Sequence, residues 1–255
     1  MASDTSPAPD PMTALRLVSW NIHRGRGRDG RVDPHRTAEV LARDVCGGNP
    51  HALILQEADE ETPPHRGVLD LGRVERGTGL SLAHRGAGTR WSSESHGFLG
   101  VVLFLAPSVR LDDLVLVDLP GHCHRGAVVA DITHDGRPLR LVGTHLSLSQ
   151  ALRITQTRTI GQHLFRRARR PTVLVGDLNE WRPWGGLALS ESVLGLRLQG
   201  AAPATFPAIR PVLPLDRVLA SAPARVGAVR VLNSEGIQAA SDHRPIAAEI
   251  VLDAD

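Results

Sequence analysis

The chain of 255 residues has no lysine and no tyrosine, only two cysteines, and an aromatic content of 3%. Each shortage removes a class of function. Cys46 and Cys123 lie far apart in unrelated contexts, which excludes a disulfide framework and a cysteine-ligated metal and leaves two unpaired thiols in a reducing compartment. So few rings give little material for the stacking platforms of single-strand nucleic-acid binders. With lysine missing, all 29 basic residues are arginine. A replacement that complete reads as codon bias across a genome, so the number of arginines says little about phosphate binding. The net charge is only +2, and the pI near 9.0 is then a weak pointer to nucleic acid. No apolar run approaches the ~18 residues of a membrane span. The opening MASDTSPAPDPM has neither a basic start nor an apolar block, so it does not read as a secretory signal. Residues 1–13 are expected to form a disordered tail, and the protein is expected in the cytoplasm.

What the chain does have is the composition of a globular protein, 42% hydrophobic and 22% charged. Its length would permit two domains at ~150 residues each, but no linker interrupts it, and one domain over 14–255 is expected. No internal repeat is found. Strands are expected at 15–20, 52–55, 80–83, 100–105, 114–118, 126–132, 139–144, 172–175, 215–219, 226–231 and 246–252, with Asp135-Gly136 turning a hairpin. Helices are expected from Asp33-Pro34 to Arg43, over 64–73 and over 149–169. The stretch 58–97 is polar, glycine-rich and the least patterned part of the chain.

Polar residues suited to metal and phosphate chemistry recur where apolar strands stop, which is where α/β folds build sites. In Val175-Gly176-Asp177-Leu178-Asn179 a carboxylate and an amide leave a buried strand together. They can orient a water, a metal or a phosphate oxygen, or close the strand in an Asx turn. Asp242-His243, before the last strand, sets a hard oxygen ligand beside an imidazole that titrates near neutrality, a pairing also common on surfaces. Glu57 follows the strand ALIL as a carboxylate that must be exposed, paired or metal-bound. Asn21 follows LRLVSW, and His145 follows LRLVGT. Asp216, enclosed in an apolar strand, needs a donor, for which His243 is the natural candidate.

Taken in order, SWNIH, LQE, GTHL, VGDLN, PLDRV and SDHRP resemble the motif series of the endonuclease/exonuclease/phosphatase superfamily. That superfamily includes deoxyribonuclease I, abasic-site endonucleases, neutral sphingomyelinases and inositol polyphosphate 5-phosphatases. The series runs from residue 19 to 245, nearly the whole chain. The resemblance implies an α/β (α+β) fold, a four-layer sandwich of two packed mixed β-sheets flanked by helices. It implies Mg²⁺, with Mn²⁺ as the alternative, held by Glu57 and Asn21 with help from Asp242. By the same resemblance Asp177 orients or deprotonates the attacking water, Asn179 positions that water and the phosphate, and His145 donates to a non-bridging oxygen. His243, oriented by Asp216, would stabilise the transition state or transfer a proton. Arg125, in HRGA, matches a recurring position that touches substrate phosphate, or it forms a structural salt bridge. Arg24, with Arg26 and Arg28, makes a glycine-spaced basic loop beside Asn21 that either steers an anionic substrate or is merely solvated. NIHRGRG, GTHL and the NEW ending are nearer in style to bacterial sphingomyelinase-like hydrolases than to abasic-site enzymes. Gly100-Val101-Val102 departs from the Gly-Asn-Ala of many such hydrolases.

The expected function is metal-dependent hydrolysis of a phosphodiester or phosphomonoester by direct water attack, on a lipid head group or another small phosphoester. A DNA endonuclease or exonuclease of the same superfamily is the alternative. Nucleic acid is the less favoured partner, because a groove for it needs more charge and more rings than this chain offers. A non-catalytic binding module ranks third, since every expected polar position is filled. No protein partner is implied.

Overall fold

A computed structural model describes residues 14–122, 124–182 and 184–252. The tail expected over 1–13 and Cys123 lie outside the described residues. In chain order the elements are β1 (Leu15–Asn21), α1 (Pro34–Val40), β2 (Ala52–Gln56), α2 (Leu71–Thr78), β3 (Ser81–Leu82), β4 (Val102–Leu105), β5 (Val109–Leu119), β6 (Arg125–His134) and β7 (Arg137–His145). There follow α3 (Gln150–Phe165), β8 (Thr172–Asp177), α4 (Glu191–Leu194), β9 (Gln199–Ala201), β10 (Asp216–Ala220), β11 (Ala224–Val231), α5 (Glu235–Ala240) and β12 (Ile246–Leu252).

One sheet has the order β11-β12-β1-β2-β4-β3 and the other β5-β6-β7-β8-β10-β9. In each sheet the middle pair is parallel, β1 with β2 and β7 with β8, and every other pair is antiparallel. The two sheets therefore repeat one pairing pattern, although the sequence carries no repeat.

Strand β2 is buried at every position, as expected of a strand covered on both faces. Its Ala52 and Ile54 join Val128, Leu141 and Val173 in the core between the sheets. Its Leu53 and Leu55 face outward against Leu41, Val74 and Ile237 from the helical layer. On the far side Ile160 of α3 packs on Val142 and Leu174. Alternation along the strands thus produces the four layers that the family resemblance implies.

Several boundaries differ from expectation for local reasons. The helix expected over 64–73 lies instead at Leu71–Thr78, because Pro63, Pro64 and the left-handed His65 (φ 54°) break the earlier stretch. The helix starts where Asp70 can cap it by accepting from the Arg73 N–H at 2.9 Å. Helix α3 ends at Phe165 rather than 169, so the arginine run before Pro171 is a turn followed by an irregular connection. Strand β5 is longer than the expected 114–118 because Asp112 and Asp113, which break the apolar pattern, are paired with Arg110, Arg170 and Arg167 at the sheet edge.

Gly176 has a structural duty. Its φ is 140°, and a Cβ there would lie 1.9 Å from the Thr144 carbonyl oxygen of the neighbouring parallel strand. Only glycine lets β7 and β8 stay paired while Asp177 turns into the site. Gly176→Ala is expected to lower stability by about 2–4 kcal/mol through strain and overpacking. Urea unfolding checks this, and an unchanged midpoint would contradict it.

Candidate active site

Because the middle pair of each sheet is parallel, the carboxyl ends of β1, β2, β7 and β8 emerge together at one end of the sandwich, and antiparallel β10 and β12 enter there. Strand ends of this kind gather polar side chains from distant parts of the sequence. Asn21 and Glu57 arrive from the first sheet, His145 and Asp177 from the second, and Asp216 and His243 from the entering strands.

Their contacts are specific. Asn21 Nδ2 donates to Asp177 Oδ2 at 3.0 Å, joining the two sheets, while Asn21 Oδ1 accepts from the His23 N–H at 3.0 Å. Asp177 Oδ1 accepts from the Asn179 N–H at 3.0 Å. Asn179, left-handed at φ 49°, donates its side chain to the Leu146 carbonyl at 2.9 Å. His145 Nε2 lies 3.3 Å from Asp177 Oδ2, and His243 Nε2 lies 3.7 Å from the same oxygen. His243 Nδ1 meets Asp216 Oδ2 at 2.8 Å. On the other side of His145, Arg125 Nη1 sits 2.7 Å from Nδ1. A guanidinium can only donate, so Nδ1 accepts and the ring proton resides on Nε2, facing Asp177.

Glu57 stands beside this group, its Oε1 3.9 Å from His145 Nδ1, and its Oε2 takes Arg24 Nη1 at 2.7 Å. Arg24 also reaches Glu61 at 3.4 Å. Asp242 is placed apart. Its carboxylate is half-exposed at the rim, 3.6 Å from His23 Nδ1, and among the described residues no hydrogen bond or ion pair joins it to Glu57 or Asn21. Arg153 and Gln156, both on α3, clamp the connection after β7 through Ser147 and Leu148.

Burial and charge set distinct protonation states. Burial pushes the Asp177 carboxyl up to about 6, helped by the nearby Asp216 charge and opposed by His243 and the Asn21 hydrogen bond. His145 is held well below the ordinary histidine value by burial and by the Arg125 charge, so it is a neutral N–H donor. His243 goes the other way. Burial disfavours its charge, but the Asp216 carboxylate outweighs that cost and raises it to about 10. One imidazole is thus neutral and the other cationic, and both point at one carboxylate oxygen.

Neighbouring residues to which the motifs assign no role hold this arrangement. Thr205 Oγ1 donates to Asp216 Oδ2 at 2.6 Å, and the Phe206 ring lies 4.9 Å from the His243 ring. Trp20 Nε1 donates to the His243 carbonyl at 2.9 Å, and Ser241 Oγ donates to the Asn21 carbonyl at 2.7 Å. Asp59 is buried and accepts from the His96 and Gly100 N–H groups at 2.7 and 3.1 Å, which sets Gly100 against the Glu57 backbone. The departure at Val101 has a plain consequence, for its side chain fills the core between the sheets. Glu180 is fully buried and paired with Arg182 at 2.7 Å and Arg153 at 3.5 Å. A carboxylate in a polar loop gives no sign of such burial in sequence.

Ligand atoms of Asp177, Asp216 and His243 lie within 4.8 Å of one another, a spacing that could hold a metal ion. However, His243 Nδ1 is engaged by Asp216 and the ring is cationic, which repels a metal. Asn21, Glu57 and Asp177 offer a better set for a hard ion, being all oxygen donors. Glu57 faces a cation already, the Arg24 guanidinium at 2.7 Å. By donor chemistry the residues therefore fit a hard divalent cation.

The family model described as endonuclease/exonuclease/phosphatase family matches residues 18–243. A search of the curated proteins returned no match. Among solved structures, an endonuclease/exonuclease/phosphatase from Beutenbergia cavernae superposes with a TM-score of 0.67 at 22% identity, over 95% of this chain and 72% of that one. Danio rerio TDP2 complexed with single-strand DNA product gives 0.69 at 17% identity, over 93% and 98%. A mannosyl-6-phosphatase from Bacteroides thetaiotaomicron gives 0.68 at 16% identity, over 93% and 99%. At these identities the likeness is one of fold.

The charge on His243 has a consequence for stability. Its value near 10 in the folded chain lies above the ~6.5 of an unfolded one, so its pairing with Asp216 stabilises fully below about pH 6.5 and is lost as pH rises through about 10. Urea unfolding of wild type and Asp216→Asn is expected to show the largest gap near pH 6 and a shrinking gap toward pH 10. A gap independent of pH would contradict the assignment.

Proposed function

Because the chain belongs to the endonuclease/exonuclease/phosphatase family, whose members hydrolyse phosphoesters, we propose that it is a Mg²⁺- or Mn²⁺-dependent phosphoesterase that attacks its substrate directly with water. The observation that carries the reading is the convergence of a neutral and a cationic imidazole on Asp177, from 3.3 and 3.7 Å.

Asp177, raised to about 6, is ionised at neutral pH yet basic enough to take a proton from water. Asn21 and the Asn179 backbone fix both of its oxygens, so the carboxylate can take the proton in one orientation. The Asn179 amide is tied to the Leu146 carbonyl and holds the water-side loop in register. His145 presents Nε2–H to a non-bridging phosphoryl oxygen without adding charge, and Arg125 fixes that tautomer. His243, cationic through Asp216, stabilises charge on the phosphoryl group and can return a proton to the leaving oxygen. A divalent ion held by Glu57 and Asn21 would supply Lewis-acid stabilisation of the developing charge, while Asp242 stays at the rim beside His23. Arg24 and Arg125 are the substrate-side cations. The small net charge and the scarcity of rings favour a lipid head group or small phosphoester over a nucleic-acid backbone.

Hydrolysis of bis-p-nitrophenyl phosphate, phospholipid, plasmid DNA and an abasic oligonucleotide, with Mg²⁺ and with EDTA, tests this reading. Activity is expected on the small diester and on phospholipid, to vanish in EDTA, and to fall by about 10²–10⁴-fold in Asp177→Asn and in His243→Ala. Activity that survives both substitutions, or that resists EDTA, would overturn it. Selective nicking of DNA would move the substrate to the nuclease alternative.

A further inference from the structure

Of the large apolar side chains that stand exposed among the described residues, all but Phe165 lie in connections at the end of the sandwich that carries the site. Single exposed apolar residues are ordinary on protein surfaces, but their concentration around one opening is not. Six of them ride on three neighbouring connections: Leu148 after β7, Trp181, Trp184 and Leu187 after β8, and Ile209 and Val212 before β10. Leu148 and Trp184 are 79% and 76% exposed.

The bases of these connections are tied down. Buried Arg153 donates to the Ser147 and Leu148 carbonyls at 3.0 and 2.6 Å and lies 3.5 Å from Glu180. Buried Arg217 donates to the carbonyls of Glu180 and Arg182. The Leu178 N–H bonds to the Leu215 carbonyl at 2.9 Å, and the Ala208 N–H to the Asp242 carbonyl at 2.6 Å. The apolar tips therefore project from a fixed polar frame beside Asp177 and His243.

The chemistry of the tips selects among partners. Four of the six are aliphatic and have no ring face for a base to stack on. The Trp181 ring is already covered by the Arg182 guanidinium at 5.4 Å. Tryptophan and aliphatic side chains with arginine among them are the composition of surfaces that enter the headgroup region of a bilayer. Exposed Arg210 stands between Ile209 and Val212, and exposed Arg26 and Arg28 stand on the connection after β1. Such charges attract anionic headgroups.

We propose that this rim is a docking surface for an anionic phospholipid bilayer, which the protein joins from one side and without spanning it. The proposal rests on the phosphoesterase reading only for its consequence, namely that the site faces headgroup phosphoesters once the rim is seated.

Sedimentation with vesicles of phosphatidylcholine containing phosphatidylglycerol tests it, using the full chain as wild type, as Trp184→Ala, and as the combined variant Leu148→Ser, Trp184→Ala, Ile209→Ser. Wild type is expected to co-sediment, Trp184→Ala to bind more weakly, and the combined variant to lose at least about tenfold in vesicle affinity. All three are expected to hydrolyse soluble bis-p-nitrophenyl phosphate alike, which also shows that they are folded. Wild type that stays in the supernatant, or a combined variant that binds as well as wild type, would overturn the proposal. So would rim-dependent binding of single-strand DNA without vesicle binding. Vesicle binding by a protein that hydrolyses no phosphoester would uphold the surface while removing the reaction assigned above, so the two failures are distinct.

Discussion

The hydrogen bond between Asp216 and His243, 2.8 Å long and buried, links the start of β10 in one sheet to the residue that leads into β12 in the other. The Asn21–Asp177 contact crosses between the same sheets. The place where the apolar core between the sheets gives way to polar side chains is therefore also a seam that fixes their relative position. A charge removed from water there is costly unless a partner is held in place, and the partner here is held by Thr205 on one side and by Trp20 and Ser241 on the other. Register, core and site are accordingly one constraint. A slip of β10 by one residue would turn Asp216 to the other face and leave His243 without its counter-charge.

The repeated pairing pattern explains why the site draws equally on both sheets. In corresponding positions, β1 ends at Asn21 and β7 at His145, while β2 leads to Glu57 and β8 ends at Asp177. The positions match but the side chains differ: an amide and a glutamate from one sheet, an imidazole and an aspartate from the other. Arg24 on Glu57 and Arg125 on His145 extend the parallel, each an arginine in contact with a side chain at a strand end.

Much of this was legible in the sequence because strands buried on both faces leave continuous apolar runs, and the polar residue that ends each run is conspicuous. Asp177, Asn179, His145 and His243 stood out in that way, and Asp216 did so as a carboxylate against an apolar strand. Other features left no trace. Glu180 and Asp59 are charges in polar loops, and only the fold reveals that one is buried against arginines and the other beneath loop N–H groups. Thr205 and Ser241 are short hydroxyl residues whose value depends on what lies across a gap of many residues. Helix α5 is too short for its periodicity to register, although Ser234 caps it by accepting from the Ile237 N–H at 3.0 Å. The apolar rim was equally hidden, since Leu148, Trp184 and Ile209 read individually as loop or core residues. The metal-binding role expected of Asp242 has the least geometric support, with its carboxylate turned toward His23.

The central claim is that Asp216 keeps His243 cationic for work on a phosphoester. Initial rates of bis-p-nitrophenyl phosphate hydrolysis as a function of pH, for wild type and Asp216→Asn at saturating Mg²⁺, test it most directly. The wild-type rate is expected to hold from neutrality until pH approaches about 10, where His243 loses its proton. In Asp216→Asn the alkaline fall is expected to move down toward the ~6.5 of an ordinary histidine. Alkaline limbs that coincide in the two proteins would contradict the account.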